Sequence, residues 1–348
     1  MSKKILMGGN VAIAEGAILA GCQAYFGYPI TPQNEVLEHL SRRMPELGRV
    51  FVQTESELAA INMVYGAGAS GCRAMTSTSS PGFSLQQEGI SYMAGAEVPA
   101  VIVNVVRSGP GLGNIGGAQC DYFQTVKGGG HGDYRLIVLA PTSVQEMMDL
   151  TMLAFELADK YRNPVVILAD GFLGLAMETI EMREPVVSLP AKPWAITGGC
   201  ARPKNIINSF EMDPVNGPAR VKVLLDKFDE IRRCEVRYQG LNLDDASMVI
   251  VAYGSASRSA ISAMKMARQE GIRVGLFRPI TLFPFPEKPL VELAGRVNNF
   301  LVAELSSGQF IEDVKLAVGR EKKVSLVNRY GGVPLAAEEI LEAIRSYK

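Results

Sequence analysis

Histidine, tryptophan and closely spaced cysteine are what this 348-residue chain has least of. Its two histidines are His39 and His131, and its one tryptophan is Trp194. Five cysteines are scattered at Cys22, Cys72, Cys120, Cys200 and Cys234, and the nearest pair lies 34 positions apart. Zinc and iron–sulfur sites usually draw two ligands from a short local spacing, which is missing here. If the chain takes part in electron transfer, the clusters belong to another chain. An odd, dispersed set of thiols fits reduced, mostly buried cysteines of the cytoplasm. No Lys/Arg run or stripe stands out against a net charge of −1, so nucleic acid is not an expected partner. No stretch reaches the roughly 18 apolar residues of a membrane span. Met1–Gly9 has two lysines and only a short apolar run, unlike a signal peptide. Gly8-Gly9-Asn10 fails the dinucleotide fingerprint. No Ser/His/Asp triad is suggested by spacing.

What is there is ordinary globular material: 47% hydrophobic residues, enough to fill the cores of two domains. The first half alternates short β-branched runs with helical patterns. Strands are expected at Ala24–Tyr28, Val50–Gln53, Arg73–Ser77, Ala100–Val106, Leu136–Leu139 and Val165–Ala169. Helices are expected from Pro32 to about Met44, Glu57–Ser70, Ser84–Ala94 and Ser143–Lys160. This order predicts an α/β domain around a doubly wound, mostly parallel sheet, over residues 1–185. Residues 186–244 are rich in Pro, Gly and charge, with one amphipathic helix at Gly217–Arg232, and read as a linker or lid. Over 245–348 the β/α rhythm returns as a smaller α/β domain. Its strands are expected at Met248–Tyr253, Val274–Phe277 and Asn299–Glu304, and its helices at Ser257–Glu270, Phe310–Val318 and Leu335–Tyr347.

Polar and glycine-rich sequence follows several strands, where ligands of such sheets gather. In Gly27-Tyr28-Pro29-Ile30-Thr31-Pro32, Thr31 is expected at a helix N-cap and Pro32 at the first helical position. That is either a plain cap and turn or a hydroxyl and helix end facing an anion. In Glu55-Ser56-Glu57, Ser56 can cap the next helix and Glu57 lies in its first turn, which is common dipole chemistry. The small side chains that follow allow close approach of another backbone, such as a partner subunit's, making Glu57 a candidate buried carboxylate at an interface. Arg107 ends the apolar run Ala100–Val106, broken only by Asn104, and opens the loop Ser108-Gly109-Pro110-Gly111-Leu112-Gly113-Asn114. It reads as a planar fork for a carboxylate or as a solvated loop arginine. The loop lacks the Gly-Lys-Ser/Thr ending of a phosphate P-loop. His131, within Gly128–Asp133, is a weaker candidate, and His39 reads as a packing residue.

Together these segments resemble the α subunit of the 2-oxoacid:ferredoxin oxidoreductases. The resemblance is strong from Gly9 to about Ala176, carried by Tyr28-Pro29-Ile30-Thr31-Pro32 and by Thr76 to Gly89. It continues more weakly through Arg278-Pro279-Ile280-Thr281-Leu282-Phe283-Pro284. It implies a thiamine-enzyme pyrimidine-binding domain followed by a transketolase C-terminal-like domain. Thiamine diphosphate would be shared with a β subunit that holds the diphosphate and Mg2+. That accounts for Asn298-Asn299 having no Gly-Asp-Gly before it. Iron–sulfur clusters would lie on the β subunit and a ferredoxin-like small subunit, with ferredoxin as electron acceptor and coenzyme A as acyl acceptor. The resemblance makes Glu57 the carboxylate on the aminopyrimidine, and Thr31 and Arg107 the groups on the 2-oxoacid, within a substrate motif of Tyr28, Pro29, Ile30 and Thr31. The segments Gly27–Val36, Gly109–Asn114 and Gly128–Arg135 look most like the type that acts on 3-methyl-2-oxobutanoate. A 2-oxoglutarate type, a transketolase-like or pyruvate-dehydrogenase-type subunit, and a non-catalytic subunit of the same fold are the competing readings. Cys120, in Gly116–Asp121, departs from the family's usual stretch and is either a site thiol or a loop substitution.

Overall fold

The computed structural model describes residues 4–199 and 202–347, so Cys200 lies outside the described residues. The first half runs β1 (Lys4–Gly8), α1 (Gly9–Leu19), β2 (Ala24–Gly27), α2 (Asn34–Glu46), β3 (Val50–Gln53), α3 (Glu57–Ala69) and β4 (Ala74–Thr78). It continues through α4 (Ser80–Gly95), β5 (Ala100–Val106), β6 (Ile137–Leu139), α5 (Val144–Tyr161), β7 (Pro164–Asp170), α6 (Gly171–Gly174) and β8 (Met177–Glu181). Between the halves lie α7 (Gly217–Cys234) and β9 (Tyr238–Leu241). The second half comprises β10 (Met248–Ala252), α8 (Gly254–Gln269), β11 (Val274–Pro279), β12 (Thr281–Phe283), α9 (Glu287–Ala294), β13 (Asn299–Glu304), α10 (Phe310–Val318), β14 (Lys323–Asn328) and α11 (Ala337–Arg345). The thiols are less buried than their scatter implies: Cys22 is buried, Cys72 and Cys120 are half-buried, and Cys234 is exposed.

Two parallel sheets result, as the β/α alternation predicts. The larger has the order β12-β6-β7-β5-β4-β2-β3, parallel except for β12. Its centre is β5 and β7, every residue of which is buried, so both faces are covered by helices. The chain steps from β2 outward to β3 and then returns to the other side of β2 with β4. That reversal opens a crevice at the carboxyl ends of β2 and β4, the place where such sheets bind ligands. Thr31 follows β2, Glu57 follows β3, and Thr78 ends β4.

The smaller sheet has the order β14-β13-β10-β11-β9, with its own reversal between β10 and β13. Here the crevice is plugged. The Gln119 side chain donates to Tyr253 O (2.9 Å) after β10 and accepts from Leu305 N (2.8 Å) after β13. A glutamine from the first half thus occupies the ligand position of the second sheet and docks the halves together.

β12 strengthens that joint, because it leaves the second half to pair antiparallel with β6. Just before it, the buried Arg278 clasps Glu146 in the first turn of α5 through two bonds of 2.9 and 2.7 Å. The Arg-Pro stretch of the sequence is therefore a structural pin between the halves. Arg278→Met is expected to cost about 3 kcal/mol by leaving Glu146 and Gln239 without their partner. Chemical denaturation would read this as a lower midpoint, and an unchanged midpoint would remove the joint's importance.

Candidate functional site

Thr31 is not a helix cap. The Ile30–Gln33 stretch closes a turn, Gln33 N to Ile30 O at 3.1 Å, and α2 starts only at Asn34. The buried Gln33 side chain stabilises that turn by donating to Tyr28 O (3.1 Å) and accepting from Ser77 Oγ (2.5 Å). Released from capping, the Thr31 hydroxyl accepts from the Asn34 amide at 3.3 Å, and its own O–H remains free to donate. Tyr28 and Pro29 are exposed at the mouth of this loop, with Ile30 half-buried.

Arg107 ends the central strand and is 7% exposed. Its terminal nitrogens donate to Thr31 O and Leu112 O, each at 3.0 Å. Its Nε is buried without a partner among the described residues. No carboxylate pairs with it there, so a buried guanidinium is neutralised by nothing but carbonyl dipoles. A ligand anion is the group such a fork lacks. Two positions separated by 76 residues in sequence are thus one constellation.

Glu57 opens α3, whose N-cap is Ser56 as expected, its hydroxyl accepting from Ala59 N at 3.2 Å. The Glu57 side chain is buried at 6% exposure and uses no hydrogen bond or ion pair among the described residues. It faces two groups from β4 and α4: the Thr78 hydroxyl, also buried without a partner, and Gly82. A Cβ at position 82 would stand 2.1 Å from Thr78 Oγ1 and 2.4 Å from Glu57 Oε1. Glycine there lets an unpaired carboxylate and an unpaired hydroxyl pack directly against the helix, an expensive arrangement unless something polar reaches them. The first turn of α4 also links this pair to the arginine. Ser80 Oγ donates to Arg107 O and accepts from Arg107 N, both at 3.1 Å.

Beside this turn lies a cavity of about 740 Å3 between the halves, walled in part by Ser80, Pro110, Asp121, Ser306, Gln309 and Tyr330. Cys120 also lines it, and burial, then the neighbouring Asp121, pushes its thiol up to about 11. Cys120 is therefore a neutral thiol at physiological pH and is no activated nucleophile. Burial likewise raises the Asp121 carboxyl above its ordinary range, with the hydrogen bond from Asn104 opposing the rise. His131 does not line the cavity; it lies in an exposed loop, edge-on to Tyr92 with centroids 6.2 Å apart. His39 bonds Glu15 at 2.5 Å between α1 and α2, and that bond holds the Glu15 carboxyl below its usual range. Sequence reasoning misses Thr78, Ser80, Gly82 and Asp121; the one available signal is polar sequence at the ends of buried strands. Among the described residues, no group of His, Cys, Asp and Glu could hold a metal ion. No helix there is long and apolar enough to cross a membrane.

The doubly wound sheet joined to a second parallel α/β unit matches a thiamine-enzyme architecture. Residues 15–233 match the family described as pyruvate flavodoxin/ferredoxin oxidoreductase, thiamine diphosphate-binding, and residues 246–340 match pyruvate:ferredoxin oxidoreductase core domain II. The chain belongs to the 2-oxoacid:ferredoxin oxidoreductase family. It is 55% identical to the ketoisovalerate oxidoreductase subunit VorB of Methanothermobacter thermautotrophicus, over 97% of this chain and 96% of that one. It is 38% identical to the 2-oxoglutarate synthase subunit KorA of Methanothermobacter marburgensis, over the whole of both. Among solved structures it superposes on a 2-oxoglutarate:ferredoxin oxidoreductase from Magnetococcus marinus, described with 2-oxoglutarate, coenzyme A and succinyl-CoA bound. The TM-score is 0.91 at 26% identity, covering 99% of this chain and 65% of that one, so this chain spans about two thirds of its length.

Proposed function

We propose that this chain is the α subunit of a cytoplasmic, coenzyme A-acylating 2-oxoacid:ferredoxin oxidoreductase whose preferred substrate is 3-methyl-2-oxobutanoate. Residues 1–185 would be its pyrimidine-binding domain and 245–348 its transketolase C-terminal-like domain, connected by 186–244. It would act with a thiamine-diphosphate-binding β subunit, a ferredoxin-like small subunit and ferredoxin. Mg2+ and the iron–sulfur clusters would reside on those partners.

The observation that carries this reading is the unpaired, buried Glu57 carboxylate, packed with the Thr78 hydroxyl against Gly82. That carboxylate and the Thr78 hydroxyl fit an aminopyrimidine, which presents ring nitrogens and an amino group to just such a donor–acceptor set. Thiamine diphosphate, when bound, supplies a nucleophilic carbon and an electron sink for decarboxylation. Glu57 would hold and exchange a proton at the pyrimidine ring nitrogen. Arg107 would bind the 2-oxoacid carboxylate with the N–H groups that Thr31 O and Leu112 O leave free, and so orient the oxo carbon. The Thr31 hydroxyl would donate to an oxygen of the same substrate.

For the side chain of the substrate, one observation disfavours a second carboxylate: the walls of the neighbouring cavity carry no cation, and Asp121 repels an anion. The identity of 55% to ketoisovalerate oxidoreductase subunits against 38% to a 2-oxoglutarate synthase subunit supports the same choice. The test is reduction of a low-potential viologen by the chain co-expressed with its partner subunits, with thiamine diphosphate and coenzyme A present. The expected order of kcat/KM places 3-methyl-2-oxobutanoate above 2-oxoglutarate and pyruvate. Preference for 2-oxoglutarate would overturn the substrate, and no reduction with any 2-oxoacid would overturn the activity.

A further inference from the structure

Asn104 is the single polar residue in the seven-residue strand β5, and it is fully buried. A lone amide in a core strand is costly unless its bonds are made, and here they are made in one direction only. Its Nδ2 donates to Asp121 Oδ2 at 2.9 Å, and its Oδ1 accepts from Ser80 N at 3.0 Å. Ser80 Oγ then holds both main-chain groups of Arg107, at 3.1 Å each. Cys120 Sγ adds a weaker contact to Arg107 O at 3.4 Å. The result is an unbroken chain of hydrogen bonds from a buried carboxylate, through the strand and the first turn of α4, to the arginine.

We infer that Asp121, Asn104 and Ser80 are positioning residues for Arg107: together they set its main chain and hence the direction from which its side chain meets the substrate carboxylate. The inference rests on the reading of Arg107 as that carboxylate's partner. The Arg107 side chain commits one N–H of each terminal nitrogen to Thr31 and Leu112. What remains for substrate is aimed by the backbone, and misplacement of about 1 Å is enough to cost about 10²-fold in such sites.

The donor and acceptor can be exchanged without changing the chain of bonds. Asn104→Asp alone sets two carboxylates against each other. Asp121→Asn alone keeps the direction, which the Ser80 N–H sets, but replaces the carboxylate acceptor of Asn104 Nδ2 by a weaker neutral amide oxygen. In the combined variant the amide now at position 121 donates to the carboxylate now at position 104, whose other oxygen still accepts from Ser80 N. In the assembled enzyme, Asn104→Asp is expected to raise the KM for the 2-oxoacid about ten-fold and Asp121→Asn about three-fold, and the combined variant to return it to within about two-fold of the parent. A merely structural role predicts altered melting without that reciprocal rescue of KM. The inference is overturned by single variants that assemble with parental KM. It is equally overturned by a combined variant that fails to assemble or keeps the KM of the singles. Arg107→Met, measured alongside, separates the two readings. If it leaves KM unchanged, the role of Arg107 itself falls; if it raises KM while Asn104→Asp does not, only the positioning network falls.

Discussion

Glu57→Gln is expected to lower turnover of the assembled enzyme by about 10²- to 10⁴-fold, the usual worth of a positioned proton-transfer group. Glutamine has the same shape and reaches the same point, but it cannot take up and return a proton. The structural cost should be small. The Glu57 carboxylate makes no hydrogen bond or ion pair among the described residues, so none is broken. The Ser56 cap to Ala59 N uses a different side chain. Removing charge from the first turn of α3 forfeits about 0.3–1 kcal/mol of dipole interaction, while removing a buried charge relieves desolvation of opposite sign. Melting and subunit assembly should therefore match the parent or improve slightly. Loss of activity without loss of stability is the signature of a residue kept for chemistry. Viologen reduction and thermal denaturation on one preparation decide the matter; turnover within about two-fold of the parent would remove Glu57 from the proton path.

How far the fold can be read in advance follows from which elements are bounded locally. β3, β5, β13 and α10 have the bounds expected of them, since each is an apolar run or amphipathic period closed by polar or glycine residues. α1 escapes the pattern because it is apolar nearly all round, with Gly16 seated so tightly on α5 that a Cβ would be 2.7 Å from Met148 O. A helix buried on every side has no period to detect. β12 is three residues long and exists only because β6 presents a free edge from the other half of the chain. β9, within the stretch read as linker, is likewise held by its antiparallel pairing with β11.

The site divides in the same way. Arg107 and Glu57 are legible as charge beside glycine and alanine, which local sequence displays. Their partners are not. Thr78, Ser80 and Gly82 lie in a run of small residues that reads as a turn, and the meaning of Ser80 comes from groups 24 and 27 positions away. Asn104 is visible as an interruption of an apolar strand, but its two partners come from different segments. Thr31 lies on the expected loop but not at the expected helix N-cap, because the Gln33 side chain closes a turn ahead of α2.

The strongest test of the close packing around Glu57 is the smallest substitution that disturbs it. Gly82→Ala adds one methyl group at a point 2.1 Å from Thr78 Oγ1 and 2.4 Å from Glu57 Oε1. Neither approach is tolerable, so both side chains must turn away. The Glu57 carboxylate is the end of a flexible chain and can swing; Thr78 is short, branched and buried on a central strand, and cannot go far. The backbone itself asks nothing of glycine here, since residue 82 lies in the first turn of a regular helix and alanine is the better helix former there. The protein should therefore fold and assemble, with any gain in helix propensity offset by the displaced side chains. Activity should fall by about 10²-fold or more, because the carboxylate is moved rather than neutralised, and apparent affinity for thiamine diphosphate should fall with it. Glu57→Gln, by contrast, keeps the shape of that contact and should weaken cofactor binding less than it weakens turnover. Measuring thiamine diphosphate activation curves for both variants separates the two effects. A Gly82→Ala enzyme with parental turnover and parental cofactor affinity would mean that the contact between Glu57, Thr78 and Gly82 is packing, and that the cofactor lies elsewhere.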